Sequence, residues 1–99
     1  MAKIKFTNKT KTDLEEIWEY SCETWPEKQA DKYYLEIPDK CHELKFDFEQ
    51  GRDYSKLIVN LKGIKINKHI IFYRLIDYNI IEIERILHEK MDLKRHLNE

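Results

Sequence analysis

The feature that most constrains this chain is a change of residue pattern near Gly51. Before this glycine, apolar residues recur at every third or fourth position, which is the spacing of one helix face. After it, ten of the thirteen isoleucines fall between Ile58 and Ile86, and β-branched residues favour strands. A chain that builds helices first and consecutive strands afterwards is typical of an α+β fold.

Two helices are predicted in the first half of the chain. The candidate N-caps of the first helix are Asn8, Thr10 and Thr12, and Glu15 completes a capping box with Thr12. The predicted apolar face of this helix carries Leu14, Ile17, Trp18 and Trp25. The second helix begins at Pro26, because a first helical position needs no N–H. Its apolar stripe keeps its phase across Pro38, so we expect a kink there and a helix that continues toward Phe48.

The strands complete the predicted architecture. Alternating polar and apolar residues predict a first strand, and isoleucine-rich runs predict three more; the ranges are 3–7, 57–66, 69–76 and 80–87. The short breaks between the last three suit hairpins, since Asn tolerates the left-handed backbone of a tight turn. The last dozen residues are weakly helical. The predicted order is β-α-α-β-β-β, a helical hairpin packed on a mainly antiparallel sheet, in one domain over residues 1–99.

The charge of the chain argues against a general affinity for nucleic acid. The 99 residues hold 18 Lys and Arg against 19 Asp and Glu, a net charge of −1. Residues 1–50 are acidic, with 8 Lys and Arg against 12 Asp and Glu, whereas residues 51–74 are basic, with 6 against 1. We therefore expect no direct sequence-specific binding of nucleic acid.

Neither a signal peptide nor a membrane span is visible in the sequence, so we expect a cytoplasmic protein. Its two cysteines, Cys22 and Cys41, lie on different arms of the predicted hairpin. They are roughly 5 Å and 20 Å from its turn at the helical rise per residue, too far apart for a disulfide. Two reduced, buried thiols are expected.

Five stretches of the chain resemble the ParE toxins of the RelE/ParE superfamily, in the same order and with matching spacing. They are Asp13–Tyr20 for the first helix, Gln29-Ala30 with Tyr33 or Tyr34 for the second, Gly51-Arg52 for the loop, His69–Arg74 for the central strand, and Arg85–Asp92 with His96-Leu97 for the C-terminal signature. The resemblance implies the toxin of a type II toxin–antitoxin system of the plasmid-stabilising kind. Such a toxin inhibits growth by poisoning DNA gyrase, and a cognate ParD-like antitoxin holds it inactive.

The resemblance also directs attention to two sets of residues. The target-binding candidates are His88, Met91, Asp92, His96 and Leu97, with Arg52 and Arg74 as lesser ones. Docking of this C-terminal segment onto its own sheet is the equally open alternative, because a helix of about ten residues needs a surface to be stable. The antitoxin-binding candidates are the aromatic residues Trp18, Tyr33 and Tyr34, although most aromatic side chains of the hairpin are expected in its core.

Catalysis and metal binding are less well supported. No nucleophile elbow, phosphate-binding glycine loop or cofactor motif is present. His88, Asp92 and His96 could share a helix face, but a zinc site usually needs three or four closely set ligands, and no metal or cofactor is expected. The enzymatic alternative is a ribosome-dependent mRNA endoribonuclease of RelE type, which would use Lys62, Lys65, Arg74, Arg85 and His88.

Three observations weaken that enzymatic alternative. The chain has no tyrosine after Tyr78, its net charge is −1, and the lysines at 62, 65 and 68 suit a solvated strand face.

Arg52 and Arg74 could simply pair with acids of the helical hairpin, at about 0–1 kcal/mol each. A third hypothesis is a diverged relative that retains only antitoxin binding.

Overall fold

A computed structural model of the protein describes residues 3–98. Its elements are β1 (Lys3–Phe6), α1 (Asn8–Thr24), α2 (Glu27–Glu43), a 3₁₀ helix (Phe48–Gln50), β2 (Arg52–Asp53), β3 (Lys62–Ile66), β4 (His69–Asp77), β5 (Ile80–His88) and α3 (Leu93–Leu97). The strands form one sheet in the order β1-β5-β4-β3-β2. Only β1 and β5 pair in parallel. The predicted α+β order is confirmed, and within residues 3–98 it lacked the 3₁₀ helix and the two-residue strand β2.

The start of α1 differs from the prediction. Its N-cap is Thr7, whose hydroxyl accepts the N–H of Thr10 at 3.1 Å, so none of the three candidate caps nor the capping box is correct. The hydroxyl of Thr10 donates to the carbonyl of Ile83 at 2.8 Å, and that of Thr7 lies 3.1 Å from the carbonyl of Glu84. Contacts with β5, more than seventy residues away, therefore select the first residue of the helix.

The buried face of α1 also differs from the predicted one. It consists of Thr10, Asp13, Ile17 and Ser21, whereas Leu14 and Trp18 are only half-buried. The helix packs on β5, where the hydroxyl of Thr10 donates to the carbonyl of Ile83 and the carboxylate of Asp13 accepts the N–H of Ile86. Thr10 and Asp13 on this face therefore bond the edge of β5, a role that hydrophobic periodicity does not register.

The second helix passes through Pro38 without a break, as predicted, and ends at Glu43, before Phe48. Leu44 follows as the C-cap, and its side chain is fully buried in the core. The helix begins at Glu27, one residue later than predicted, so Pro26 is its N-cap and not its first residue.

The centre of the sheet is buried on both faces. Successive residues of a strand point to opposite sides, so Ile71 and Tyr73 pack with the helices while Ile70 and Phe72 belong to a second cluster. Leu61, Leu87 and Leu97 complete that cluster. Burial on both faces explains why β4 begins as a continuous apolar run.

The third strand is shorter than the predicted 57–66, because it begins at Lys62. Leu57 and Ile58 lie in a loop and pack with Tyr54 against the second cluster, so their apolar side chains cover the sheet from outside. Asn67 adopts the left-handed conformation expected at the β3–β4 hairpin, with φ of 52°.

Both cysteines are free, as expected. Cys41 is fully buried, whereas Cys22 is exposed on α1, so the prediction of two buried thiols is wrong for Cys22. It follows Ser21, the last residue of the buried face, and therefore points away from the sheet. No helix within residues 3–98 is long and apolar enough to cross a membrane.

Candidate functional site

A groove of about 810 Å³ lies between α1 and the end of β5. We call it the α1–β5 groove. Its helix wall includes Glu16 and Tyr20, and its far wall is formed by the chain that follows β5, including Met91 and His96. The groove exists because β1 pairs only with Ile80–Ile83, so the later part of β5 has no neighbouring strand on that side.

An ion pair between α1 and β5 forms part of the groove lining. Nε and Nη2 of Arg85 donate to the two carboxylate oxygens of Asp13 at 2.8 and 2.9 Å. The side chains are only 12% and 6% exposed. The same carboxylate accepts the N–H of Ile86 at 3.1 Å, which satisfies a backbone donor on the free edge of β5. Two-point pairing with a third bond to the backbone fixes both side chains in this buried site.

The C-terminal segment, residues 89–98, is docked against the same arginine. Nη1 of Arg85 donates to the carbonyl of His96 at 2.8 Å. At the other end of α3, the carboxylate of Asp92 accepts the N–H of Arg95 at 3.2 Å and caps the helix. Leu97 is buried in the second hydrophobic cluster. The alternative of docking onto its own sheet therefore describes how this segment lies in the structure.

Two histidines and a tyrosine connect the groove to the core. His69 and His88 are opposite each other on β4 and β5, with ring centroids 5.3 Å apart. Nδ1 of His69 shares a hydrogen bond of 2.5 Å with the hydroxyl of Tyr33. Burial first, and the neighbouring His88 second, lower the pKa of His69 to about 4. Burial likewise raises the pKa of Tyr33 to about 12. This contact is therefore between neutral groups at pH 7.

The structure places the target-binding candidates in three different environments. His88, Met91 and His96 line the α1–β5 groove. Asp92 caps the N-terminus of α3, and Leu97 is buried in the second hydrophobic cluster. Both residues therefore stabilise the C-terminal segment and do not line the groove.

Neither lesser candidate arginine lines the groove. The guanidinium of Arg52 lies 5.8 Å from the ring centre of Tyr54. That of Arg74 pairs with Glu84 at 2.9 Å. The idea that Arg74 pairs with acids of the helical hairpin is wrong, because Glu84 lies on the adjacent strand β5, within reach of the Arg74 side chain.

The aromatic candidates for antitoxin binding are also divided. Trp18 and Tyr34 are half-buried and pack edge to face across the hairpin, with centroids 5.3 Å apart. Tyr33 is 5% exposed and belongs to the core, where it contacts Trp25 and His69. Only the first two present part of their rings at the surface.

The basic residues of the enzymatic alternative do not converge. Of that set only Arg85 and His88 line the groove. Lys62 and Lys65 instead pair with Glu49 and Glu89 at 3.3 and 2.7 Å, on other parts of the sheet. With Arg74 and Arg85 also paired, each of the four cations has a carboxylate neighbour. Within residues 3–98, no group of three or more His, Cys, Asp and Glu side chains could hold a metal ion.

Sequence reasoning missed the pairing of Asp13 with Arg85, although both residues lie in stretches that resemble the ParE toxins. Asp13 is four residues before the buried Ile17, on the same helix face. A carboxylate at such a position needs a cation or several donors, because burying an unpaired charge is costly. That need was the available signal, but the partner could come from anywhere in the chain.

Comparisons with known proteins agree with this fold. The family profile described as "ParE toxin of type II toxin-antitoxin system, parDE" matches residues 4–93. Toxin ParE1 of Mycobacterium tuberculosis is 29% identical over 84 residues, which cover 85% of this chain and 86% of that protein. Toxin ParE1 of Caulobacter vibrioides is 28% identical over 97 residues, which cover 98% and 99% of the two proteins.

A solved structure also resembles the chain. This structure, described as "Chromosomal ParDE TA system from P. aeruginosa", matches with a TM-score of 0.76 and 20% sequence identity. The match covers 89% of this chain and 96% of the other, which confirms the predicted fold class. Since the family profile spans almost the entire chain, the protein belongs to the ParE toxin family of type II toxin–antitoxin systems.

Proposed function

We propose that this protein inhibits growth by poisoning DNA gyrase through the α1–β5 groove, without an enzymatic activity of its own. The observation that carries the proposal is the convergence of His88, Met91 and His96 in one groove. A buried ion pair and a docked helix hold that groove in shape. Met91 is 41% exposed, which suits contact with another protein.

We further propose that a ParD-like antitoxin neutralises the protein and that both act in the cytoplasm. The solved ParDE structure with the same fold supports an antitoxin partner. On the helical hairpin, the partner contacts the aromatic pair Trp18 and Tyr34, since tyrosine and tryptophan contribute strongly to protein interfaces. Their site on the hairpin is separate from the residues that line the groove.

A supercoiling and DNA-cleavage assay with purified gyrase and antitoxin-free protein tests the proposal. Loss of supercoiling with accumulation of double-strand breaks is the expected result. A ribosome-coupled mRNA cleavage assay runs beside it, with charge reversal at Lys62 and Lys65 as a variant. Cleavage of mRNA that this variant abolishes, with gyrase unaffected, would establish the RelE-type reaction instead.

Point variants test the groove better than a truncation does, because removing residues 88–99 also removes Leu97 from the core. Met91→Ala is expected to raise the concentration needed for half-maximal gyrase inhibition by about tenfold, the loss expected if Met91 is one of the minority of interface residues that contribute strongly to binding. Tyr78→Ala is the matched control, since Tyr78 is 94% exposed and lies outside the groove. Equal potency of the two variants would remove Met91 from the target-binding surface.

A further inference from the structure

We infer that Asp13 and Arg85 are positioning residues, which hold the C-terminal segment against the α1–β5 groove. The inference rests on the proposed function only in assigning that segment to target binding. Its structural content, that an ion pair between α1 and β5 fixes residues 89–98, stands on the geometry of the two side chains.

The C-terminal segment needs such support because α3 has only five residues, Leu93–Leu97. An isolated helix in water is marginal below about 12 residues, since nucleation costs more than a single turn returns. Few side chains of the segment are inside the protein: Leu97 is 9% exposed, Glu89, Leu93 and His96 are half-buried, and the other residues are exposed. A hydrogen bond from a rigid part of the fold therefore matters more here than it would in a long helix.

Arg85 supplies that bond at the end of the helix where it counts most. The last carbonyls of an α-helix lack partners within the helix, and a cation near them also opposes the negative end of the helix dipole. Nη1 of Arg85 reaches the carbonyl of His96 at 2.8 Å. The guanidinium thus acts as a C-terminal cap donated from β5 to α3.

Asp13 determines where that guanidinium points. Its two oxygens bind Nε and Nη2 of Arg85, which leaves Nη1 directed at α3. The planar fork of arginine makes the three directions rigidly dependent on one another. Without the carboxylate, Nε and Nη2 of Arg85 would lose their two bonds to α1, and the guanidinium would rotate away from the carbonyl of His96. A residue in the second turn of α1 therefore controls the position of the chain's last helix.

Arg85→Lys tests this link, because lysine keeps the positive charge beside Asp13 but cannot bind both the carboxylate and the distant carbonyl as a fork does. Arg74→Lys is the matched control, since Arg74 also pairs with a carboxylate at 2.9 Å, but its partner Glu84 lies on β5 and outside the C-terminal segment. The measurement is amide hydrogen exchange of a peptide covering residues 89–98 in the whole protein. In Arg85→Lys we expect exchange to be about tenfold faster, and in Arg74→Lys unchanged.

A second variant covers the case in which Arg85→Lys does not fold. The double variant Asp13→Asn with Arg85→Gln removes the two opposite charges together, so neither of them is buried without the other. It also removes the donor that reaches His96, so the same acceleration is expected. Unchanged exchange over 89–98 in a folded variant of either kind overturns the inference.

Gyrase inhibition is measured on the same proteins. Faster exchange with at least about tenfold weaker inhibition supports both the inference and the assignment of this segment to gyrase. Faster exchange with full inhibition supports the inference and overturns that assignment. Failure of the unaltered protein to inhibit gyrase overturns the proposed function, while the exchange result still decides whether Asp13 and Arg85 hold the segment.

Discussion

Replacing Gly51 by alanine changes the free energy of unfolding through two opposing effects, one from the backbone and one from the packing against Tyr73. Gly51 has φ of −75° and ψ of 153°, an extended conformation that alanine adopts freely. On backbone grounds alone the substitution would stabilise the protein by about 0.4–1 kcal/mol, because alanine restricts the unfolded chain. A Cβ at this position, however, would lie 2.1 Å from the hydroxyl oxygen of Tyr73 and 2.8 Å from its Cζ. Packing therefore opposes the backbone effect.

The size of the packing cost follows from the surroundings of Tyr73. Contacts of a Cβ below 3.0 Å are essentially never observed, so the fully buried tyrosine must move by about 1 Å in a close-packed core. Overpacking of this kind costs about 1–3 kcal/mol. The movement also breaks the 2.7 Å bond from the Tyr73 hydroxyl to the carbonyl of Phe48, at about 1 kcal/mol. After subtraction of the backbone gain, Gly51→Ala should destabilise the protein by about 1–3.5 kcal/mol.

Urea unfolding followed by tryptophan fluorescence measures this change. Tyr73→Phe alone should cost about 1 kcal/mol through the lost hydrogen bond. Combined with Gly51→Ala it should cost less than the sum of the single changes, since the nearest clashing atom is gone. Arg52→Ala, at the exposed neighbouring position, should change little. A Gly51→Ala protein as stable as the unaltered one, or an additive double variant, would refute the reasoning.

Two further predictions concern pH. His69 has an ordinary pKa of 6.5 when unfolded and about 4 when folded, so its contribution to the unfolding free energy is complete above pH 6.5 and is lost as pH falls toward 4; His69→Gln should remove that loss in urea titrations across this window. Glu84 gives the unfolding free energy the opposite pH dependence. Burial and the neighbouring Glu82 raise the pKa of Glu84 from 4.5 to about 7, so its protonation as pH falls from 7 to 4.5 stabilises the fold. Relative to the unaltered protein, Glu84→Gln should therefore be most stabilising above pH 7 and lose that advantage by pH 4.5, whereas a constant difference would contradict the assignment.

Much of the fold could be predicted because local pattern and tertiary structure agree. The isoleucine-rich runs form the sheet, and the stripe of α2 keeps its phase through Pro38. The errors arise where a distant group decides. Thr7 caps α1 because it also reaches the carbonyl of Glu84, and Leu57 leaves the predicted strand to cover the second hydrophobic cluster.

The site shows the same division. Resemblance in the C-terminal signature led to His88, Met91 and His96, which meet in one groove. It did not reveal that Leu97 is a core residue, because a leucine at the end of a polar segment has no periodic partners to mark it as buried. Nor could spacing reveal the pairing of Asp13 with Arg85, since the two lie 72 positions apart.

The central position of β5 also governs when the molecule takes shape during synthesis. The five-stranded sheet cannot form until β5 is made, because β5 lies between β1 and β4 and pairs with Lys3–Phe6 of β1. At about 5–20 residues per second, a ribosome needs roughly 5–20 s to make a chain of this length. For most of that time α1 and α2 have no sheet on which to bury their apolar faces. A nascent chain that ends before Ile80 therefore lacks β5 and with it one wall of the α1–β5 groove.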